Sequence, residues 1–214
     1  MYSDLRFNVF LNDLNDIITC DSSSPLDIHI QRAYLQTKHF CLESKERSYF
    51  AKESHDYLIH QHCSITREVP EGKTTVRMDL NLSQNVEMIA FTLHTDASDP
   101  YFCGYDDIAT LDPLIGAELS SNGQILLKCR AHHLRVIDKR DSNMNIPKIP
   151  IYTISFGLDM KQSIHENQPN GSITLDQVSL LLRVKNGVKI VRLWYLKRNV
   201  LKFAGGMCGV AFTN

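Results

Sequence analysis

Apolar residues recur at every second position through several stretches of the chain, and this rhythm restricts the fold more than any other feature. In the clearest stretch, Thr74–Leu82, the even positions from Val76 onward are apolar and the odd positions between them are charged or amide residues. A period of two places one face of a β-strand in a core and the other in solvent. Glu87–Leu93, Tyr152–Met160 and Val178–Val184 repeat the pattern. The side chains predicted to face the core are Val76, Met78, Leu80, Leu82, Ile89, Phe91, Leu93, Tyr152, Ile154, Phe156, Leu158, Met160, Val178, Leu180, Leu182 and Val184.

The segments between these stretches carry turn and loop signals. Asn186-Gly187 separates two strand-like stretches, and both residues tolerate positive φ, so a type I′ hairpin is predicted there. Only Glu43–Glu53 has a helical composition. The stretches 96–113 and 138–150 are rich in Asp, Asn and Pro and are interpreted as surface loops. Residues 1–27 are interpreted as an irregular lead-in that ends in a Ser- and Pro-containing linker.

These patterns predict an all-β protein built as one sandwich or barrel. Six to eight strands with turn signals and no alternating helices exclude a doubly wound fold and a coiled coil. A chain of 214 residues is long enough for one sizeable sandwich. The predicted organisation is a lead-in over residues 1–27 followed by one domain over residues 28–214.

Bulk properties exclude several classes of function. A net charge of −1 argues against a duplex-DNA binder, and Lys197, Arg198 and Lys202 are expected to lie at a solvated strand end. No apolar run reaches the length of a membrane span, and residues 1–20 contain no continuous apolar core of the signal-peptide kind. The six cysteines show no metal-type spacing and are expected to be free, mostly buried thiols in a reducing compartment. They are Cys20, Cys41, Cys63, Cys103, Cys129 and Cys208.

The pair His60 and His62 is the first candidate for chemistry, because alternate residues of a strand share a face and could bind a metal as in a cupin. Glu68 follows too late for the usual cupin spacing, and the second motif begins at Pro169 but ends on Thr174 instead of a histidine. Paired histidines on the polar face of a strand are therefore the preferred interpretation.

Two further groups are weaker candidates. The acidic loop with Asp96, Asp99, Asp106, Asp107 and Asp112 has no calcium-binding spacing. His132-His133 with Asp138 has no activated nucleophile to complete a hydrolase triad. The sequence therefore predicts no catalytic, cofactor-binding or metal-binding residue and no enzyme. Exposed aromatic residues at Tyr101, Phe102 and Tyr105 would instead favour a carbohydrate-binding jelly-roll module, which stays open as an alternative, with a cupin-like metal enzyme after it.

The last quarter of the chain carries a resemblance to a known family. Val191–Tyr195, Asn199–Phe203 and Gly205–Asn214 resemble, in order, the closing strand, the Asn-Val-Leu step and the Gly-Met-x-Gly-Leu-Ala ending of major capsid proteins of nucleocytoplasmic large DNA viruses. Ile151–Leu158 followed by Gln168–Ser172 is similar to that family's Tyr-x-Phe-Ala-Leu strand and Gln-Pro-Ser-Gly turn.

Earlier segments extend the resemblance towards the N-terminus. Glu43–Phe50 is similar to the family's charged helix, and Ser54–Ile59 resembles its Ser-His-Glu-Tyr-Leu-Ile strand. The matching segments run in order from about Ile28 to Asn214, which makes the combination specific although each segment alone is weak. The family has two jelly rolls, whereas this chain has room only for the second.

The resemblance implies an eight-stranded jelly-roll sandwich with one short helix and a structural role in an icosahedral capsid. The implied partners are copies of the chain, as trimers or pentamers, and other capsid proteins, with no cofactor, no specific nucleic acid and no membrane span. The implied location is the virion, with assembly in the host cytoplasm. A minor or penton-type protein, a divergent paralogue and part of a split or truncated capsid gene all fit the single roll. The Gly205–Gly209 element is expected to allow close backbone packing at a subunit or sheet contact.

Overall fold

The computed structural model describes residues 6–11, 29, 31–95, 112–147 and 150–212. Within these ranges lie eight β-strands, three α-helices and one π-helical turn. The strands are β1 (His55–Glu68), β2 (Thr75–His94), β3 (Leu114–Ser121), β4 (Gln124–Arg130), β5 (Tyr152–Ser155), β6 (Ile173–Val184), β7 (Ile190–Ala204) and β8 (Met207–Val210). The helices are α1 (Ser44–Lys52), α2 (Asp138–Asp141), which follows the π-helical turn His133–Ile137, and α3 (Met160–Glu166).

The chain divides into two compact units, residues 1–56 with 202–209 and residues 57–201 with 210–214. The first unit contains α1, which begins with a capping box between Glu43 and Glu46. Its Gly205-Gly206 turn leads into β8 with φ values of 58° and 78°. A Cβ on Gly205 or Gly209 would meet open space. The expected close backbone packing is therefore wrong for a sheet contact within this chain at Gly205 and Gly209, and for a subunit contact it stays a prediction. Gly205 and Gly206 supply the positive φ of a tight turn.

The second unit contains the sandwich, and the 20-residue strand β2 belongs to both of its halves. The first half of β2 pairs with β6, which pairs with β3 and so with β4; this set is called the β3 group. The second half of β2 lies between β5 and β7, and β1 follows β7; this set is called the β5 group. The expected jelly-roll class of fold is confirmed.

A register shift between Val86 and Met88 allows β2 to serve both groups. Before the shift the buried apolar residues are even-numbered, and after it they are odd-numbered. An extra residue in one strand changes which alternate side chains face a given side. The predicted core residues of β2 and β6 are confirmed as members of one buried cluster. They are Val76, Met78, Leu80, Leu82, Ile89, Phe91, Leu93, Val178, Leu180, Leu182 and Val184.

The predicted strand Tyr152–Met160 is correct only in its first half. Tyr152 and Ile154 are buried, and the Tyr152 ring stacks on Phe91 at 5.2 Å. The strand ends at Ser155, Leu158 is 83% exposed, and Met160 is buried as part of α3. Just beyond the strand, the backbone of Gly171 packs against Phe156, and a Cβ on Gly171 would lie 2.9 Å from the Phe156 carbonyl oxygen.

The predicted Asn186-Gly187 hairpin is wrong, because β2 lies between β6 and β7 in the strand order. Gly187 has φ 98°, whereas Asn186 is not in the positive-φ region, so the turn is not type I′. It leads the chain from the β3 group to the β5 group. A two-residue turn with positive φ at both positions occurs instead at Asn122-Gly123, between β3 and β4, with φ values of 49° and 79°.

Two other expectations also change. The prediction of one short helix is wrong, because α2 and α3 accompany α1. The interpretation of 138–150 as a surface loop is wrong at its start, where α2 contains the buried Lys139. Residues 96–111 lie outside the described residues. Of the lead-in 1–27, only residues 6–11 are described, and they form neither helix nor strand. The boundary at residue 28 stays a prediction.

Candidate functional site: the outer layer over the β5 group

Two helical segments contact the side of the β5 group that points away from the core. Alternation along β5 turns Tyr152 and Ile154 inward, so Thr153 and Ser155 point outward, yet Thr153 is only 3% exposed. Residues 131–147 bond to Thr153 and Ser155, and residues 156–172 bond to Glu87 and Arg198. These two segments are called the outer layer.

A buried ion pair lies under the second of these segments. The Nε of Arg198 donates to Oε1 of Glu87 at 2.5 Å, and the exposed fractions of the two residues are 7% and 1%. The hydroxyl of Ser163 on α3 donates to Oε2 of Glu87 at 2.8 Å. The Nε2 of His60 on β1 lies 3.1 Å from the same oxygen. These four residues, with Asn167, are called the Arg198 cluster.

The remaining donors of the Arg198 guanidinium bond to the end of α3. Nη1 donates to the carbonyl of Asn167 at 3.0 Å, and Nη2 donates to Ser163 Oγ at 2.8 Å and to the carbonyl of Gln168 at 2.9 Å. Asn167 ends α3 with φ 53°, and its amide donates to the Leu58 carbonyl on β1 at 2.6 Å. The expectation that Arg198 lies at a solvated strand end is wrong, and Lys197 is also buried, at 4% exposure.

The Arg198 cluster is suited to holding segments together and not to turning over a substrate. Ser163 and Glu87 are at most 1% exposed, so a substrate has no access to them. The Nε2 of His60 lies 3.2 Å from Nη2 of Arg198 and 3.1 Å from Oε2 of Glu87. This nitrogen therefore hydrogen-bonds within the cluster, either as an acceptor from Arg198 or as a donor to Glu87. A buried charge pair is stable only when hydrogen bonds satisfy its remaining donors and acceptors, as they do here.

The first outer-layer segment is attached through Asp138 and Lys139. Asp138 accepts hydrogen bonds from the hydroxyls of Thr153 at 2.7 Å and Ser155 at 2.8 Å, and from the Ser155 amide at 3.1 Å. The ammonium of Lys139 donates to the carbonyls of Leu134, Arg135 and Ile151. Burial lowers the pKa of Lys139 to about 8, the negative charge of Asp138 opposes this shift, and Arg135 adds to it.

Asp112 forms a third polar contact at the edge of this segment. Its carboxylate accepts hydrogen bonds from the Tyr152 hydroxyl and from the Leu114 amide, the latter at 3.2 Å. Burial and the bond to Asp112 raise the pKa of Tyr152. Asp112 thus orders the start of β3. The other members of the acidic loop, Asp96, Asp99, Asp106 and Asp107, and the aromatic residues Tyr101, Phe102 and Tyr105 lie outside the described residues.

Asn199 holds the final residues against β7 and gives a physical reason for the Asn-Val-Leu step of the sequence. It is 1% exposed. Its amide nitrogen donates to Gln61 Oε1 at 2.8 Å and to the Phe212 carbonyl at 2.7 Å, and its oxygen accepts from the Val200 and Phe212 amides. Every hydrogen-bonding position of this side chain is used, so aspartate or leucine would leave buried groups unpaired.

The histidine candidates are not brought together as a metal site. His62 is exposed, whereas His60 belongs to the Arg198 cluster. Thr174, at the place of the last cupin ligand, donates to Asn85 Oδ1 at 3.2 Å. Among the described residues, no group of three or more His, Cys, Asp or Glu side chains is arranged to bind a metal. Asp138 bonds to Thr153 and Ser155, so it is not the orienting acid of a triad with His132 or His133.

Four of the six cysteines are described, and all four are free thiols. Cys41 is exposed, while Cys63, Cys129 and Cys208 are partly buried, so the expectation of mostly buried thiols is wrong for these four. Burial, with a smaller contribution from Asp138, raises the pKa of Cys129 to about 11. Cys20 and Cys103 lie outside the described residues.

Across the described ranges, no helix has both the length and the apolar character needed to span a bilayer.

The outward face of the β3 group carries exposed ion pairs. Arg77 Nε lies 3.2 Å from Asp79, with side-chain exposures of 68% and 80%. Lys128 lies 3.0 Å from Glu118 across the β3–β4 ladder. Such pairs in water contribute about 0–1 kcal/mol each.

Comparison with known proteins assigns the fold to a family. The model of the family "Large eukaryotic DNA virus major capsid protein" matches residues 46–209, which is more than half of the chain. Solved structures of similar fold include VP54 of PBCV-1, 18% identical with a TM-score of 0.63 over 81% of this chain and 55% of that chain. A quasi-atomic model of the PBCV-1 capsid gives 19% identity and a TM-score of 0.63 over 81% and 55%. The Faustovirus major capsid protein gives 10% identity and a TM-score of 0.52 over 76% and 36%.

These matches cover unequal shares of the chains compared. This chain spans about half the length of the PBCV-1 structures. No curated protein sequence matches it significantly. The matched range 46–209 contains all of β1 through β7, and so includes the Arg198 cluster.

Proposed function

Because the chain belongs to the large eukaryotic DNA virus major capsid protein family, we propose that it is a structural protein of a viral capsid that works as a single jelly-roll unit. The observation that carries this proposal is the match of the family model to residues 46–209, the part of the chain that forms the sandwich. The Arg198 cluster supports it, because its charged groups are buried and used to hold chain segments in place.

The proposed partners are copies of the chain and other capsid proteins. A chain with one roll presents one set of faces, so repetition of one heterologous contact closes into a ring, here a trimer or a pentamer. A second arrangement pairs this roll with a roll from another polypeptide. The chain spans 55% of the PBCV-1 VP54 chain, which supports that arrangement.

The proposal also covers activity, location and extent. The role is structural and not enzymatic, and no cofactor takes part. The protein is located in the virion capsid after assembly in the host cytoplasm. The jelly-roll domain spans residues 28–214.

Mass photometry of the purified full chain over a range of concentrations tests the proposal. Trimers, pentamers or larger closed species are expected, and mixing with a mass-tagged copy should give hetero-oligomers of the same order. Negative-stain images of the oligomer fraction should show rings of that symmetry. A monomer at every concentration that turns over a small molecule or binds a glycan would contradict the capsid role.

A further inference from the structure

Beyond Phe156, which packs against the core cluster, the outer-layer segment 156–172 has little apolar attachment to the sheet. Of the seven residues of α3, only Met160 and Ser163 are buried. Leu158 is 83% exposed and Ile164 is 45% exposed. Ordering a segment of this length costs conformational entropy at every residue, and so few buried side chains offset only a part of that cost. Other contacts must hold the segment in place.

Those contacts are polar, and most of the side-chain bonds to the sheet converge on Arg198. Arg198 binds Ser163, Asn167 and Gln168, which are respectively inside α3, at its end and just beyond it. Asn167 adds a bond to Leu58 on β1. The Arg198 guanidinium is itself oriented by Glu87 on β2. The attachment to the central strands β2 and β7 therefore runs mainly through this guanidinium. Direct bonds to Glu87 from the Ser163 hydroxyl and from the Phe156 amide accompany it.

The core is held by different interactions. Leu180, Leu182 and Phe91 are fully buried, and none of them belongs to the Arg198 cluster. Loss of the polar attachment therefore removes support from residues 156–172 without removing a side chain from the apolar core. Parts of a protein with few buried apolar contacts open at lower free energy than the core.

We propose that Arg198 is the positioning residue of segment 156–172, and that its release opens this segment locally while the sandwich stays folded. The segment is thus a separately opening part of the roll, controlled by a buried cation at the edge of the core. This inference concerns the monomer and goes beyond the proposed capsid role.

Hydrogen exchange resolved to single amides tests the proposal. The reporters are the amides of Leu158, Met160 and Ser163, which bond to the carbonyls of Asn170, Ser142 and Asp159. Arg198→Lys keeps the positive charge but removes the planar fork, and exchange at these amides should become roughly tenfold faster or more. Amides of β2 and β6 should stay slower than the reporters in every variant and should depend more steeply on urea, because they are exposed only when the whole roll unfolds.

A second variant covers the case in which Arg198→Lys does not fold. Asn167→Gly keeps the Glu87–Arg198 pair, suits the φ of 53° and removes the side-chain bonds to Leu58 and Arg198. It should also accelerate the reporter amides. Arg77→Lys, on the exposed face of the β3 group, is the matched control and should change none of them.

Unchanged reporter amides in both variants would overturn the proposal. Reporter amides that exchange with the same opening free energy and the same urea dependence as the β2 and β6 amides would also overturn it, since that result means that segment 156–172 opens only when the whole roll unfolds. Oligomer formation by the wild-type chain does not enter this test. A wild-type protein that never assembles would therefore count against the capsid role and leave this inference intact.

Discussion

The two halves of the sandwich have similar inner faces and different outer faces. Both inner faces contribute alternating apolar residues to one buried cluster, whose aromatic members Phe91, Tyr152 and Tyr195 lie in the β5 group. The outer face of the β3 group carries exposed ion pairs such as Arg77–Asp79, whereas that of the β5 group bonds to helical segments above a buried Glu87–Arg198 pair. The same chemical pair, arginine with a carboxylate, thus occurs in two environments within one fold.

The difference shows that position decides what a charge contributes. An exposed pair is weakened by water and salt, so either partner can be removed at little loss. A buried pair has already lost its hydration, so removal of one partner leaves an uncompensated charge. The lengths of the connections between strands explain why only the β5 group is covered by an outer layer. β3 and β4 are joined by two residues, whereas the longer connections 131–151 and 156–172 precede and follow β5.

The largest effect is expected from a polar residue placed on the inner face. The Leu180 side chain faces the core and is 0% exposed to solvent. Its neighbour Leu181 lies on the outer side of the strand and is only partly buried. Leu180→Asn should lower the free energy of unfolding by about 4 kcal/mol or more, because it combines a lost apolar side chain with an unpaired amide. Leu181→Asn should lower it by about 1 kcal/mol or less. Urea unfolding measures both free energies. Similar losses for the two variants would show that the outer face of the β3 group is buried as its inner face is.

The buried ion pair should give the next largest effect. Arg198→Met leaves Glu87 unpaired and should cost about 3–5 kcal/mol, whereas Arg77→Met should cost about 0–1 kcal/mol. Adding Glu87→Gln to Arg198→Met should recover a part of the loss, since no buried charge remains. Thermal and urea unfolding measure the free energy of unfolding of each variant. Equal losses for Arg198→Met and Arg77→Met would contradict the expected difference between a buried and an exposed ion pair.

Lys139 should make stability depend on pH in the alkaline range. Its pKa is about 8 when folded and 10.5 in the ordinary lysine, so the unfolded chain binds the proton more tightly. Between these values the unfolded state carries more protons, and the stability contributed by this group rises with pH. Below pH 8 the lysine is charged in both states, and the full cost of burying the ammonium is present.

The control for this prediction is Lys139→Met, which cannot titrate. From pH 7.5 to 10 the wild-type protein should gain about 1–3 kcal/mol relative to this variant. The raised pKa of Cys129 acts in the opposite direction in both proteins, because the folded state then keeps a proton that the unfolded thiol loses. Urea unfolding at each pH measures the difference, and parallel curves for the two proteins would refute the role of Lys139.

The smallest effect concerns the two Asn-Gly pairs. Asn122→Val places a β-branched residue at φ 49° and should cost about 1–2 kcal/mol. Asn186→Val should change stability by less than about 0.5 kcal/mol, because that residue is outside the positive-φ region. A larger loss at Asn186 than at Asn122, measured by urea unfolding, would contradict the assignment of the type I′ geometry to the β3–β4 turn.

Sequence alone predicted the inner faces well, because alternation reports burial directly in a strand with one wet face. It failed at Leu158, where the period of two continues although the chain has left the sheet, and at Asn186-Gly187, where a turn signal does not say which strands pair. Asn122-Gly123 carried the same dipeptide signal and could have been identified. Glu87 and Arg198 could not be found together, since they lie 111 positions apart and nothing local marks a charged residue as buried.

The length of β2 has a consequence for synthesis. In the part of the chain that the structure describes, the strands that pair with β2 are β5, β6 and β7, and all three follow it in the sequence. During translation β2 therefore leaves the ribosome with both of its edges unsatisfied, and such non-local pairing is slow to form. A message truncated before β6 would yield a chain with a long, apolar, unpaired strand, which is a template for aggregation. The roll can close only after β7 has been made.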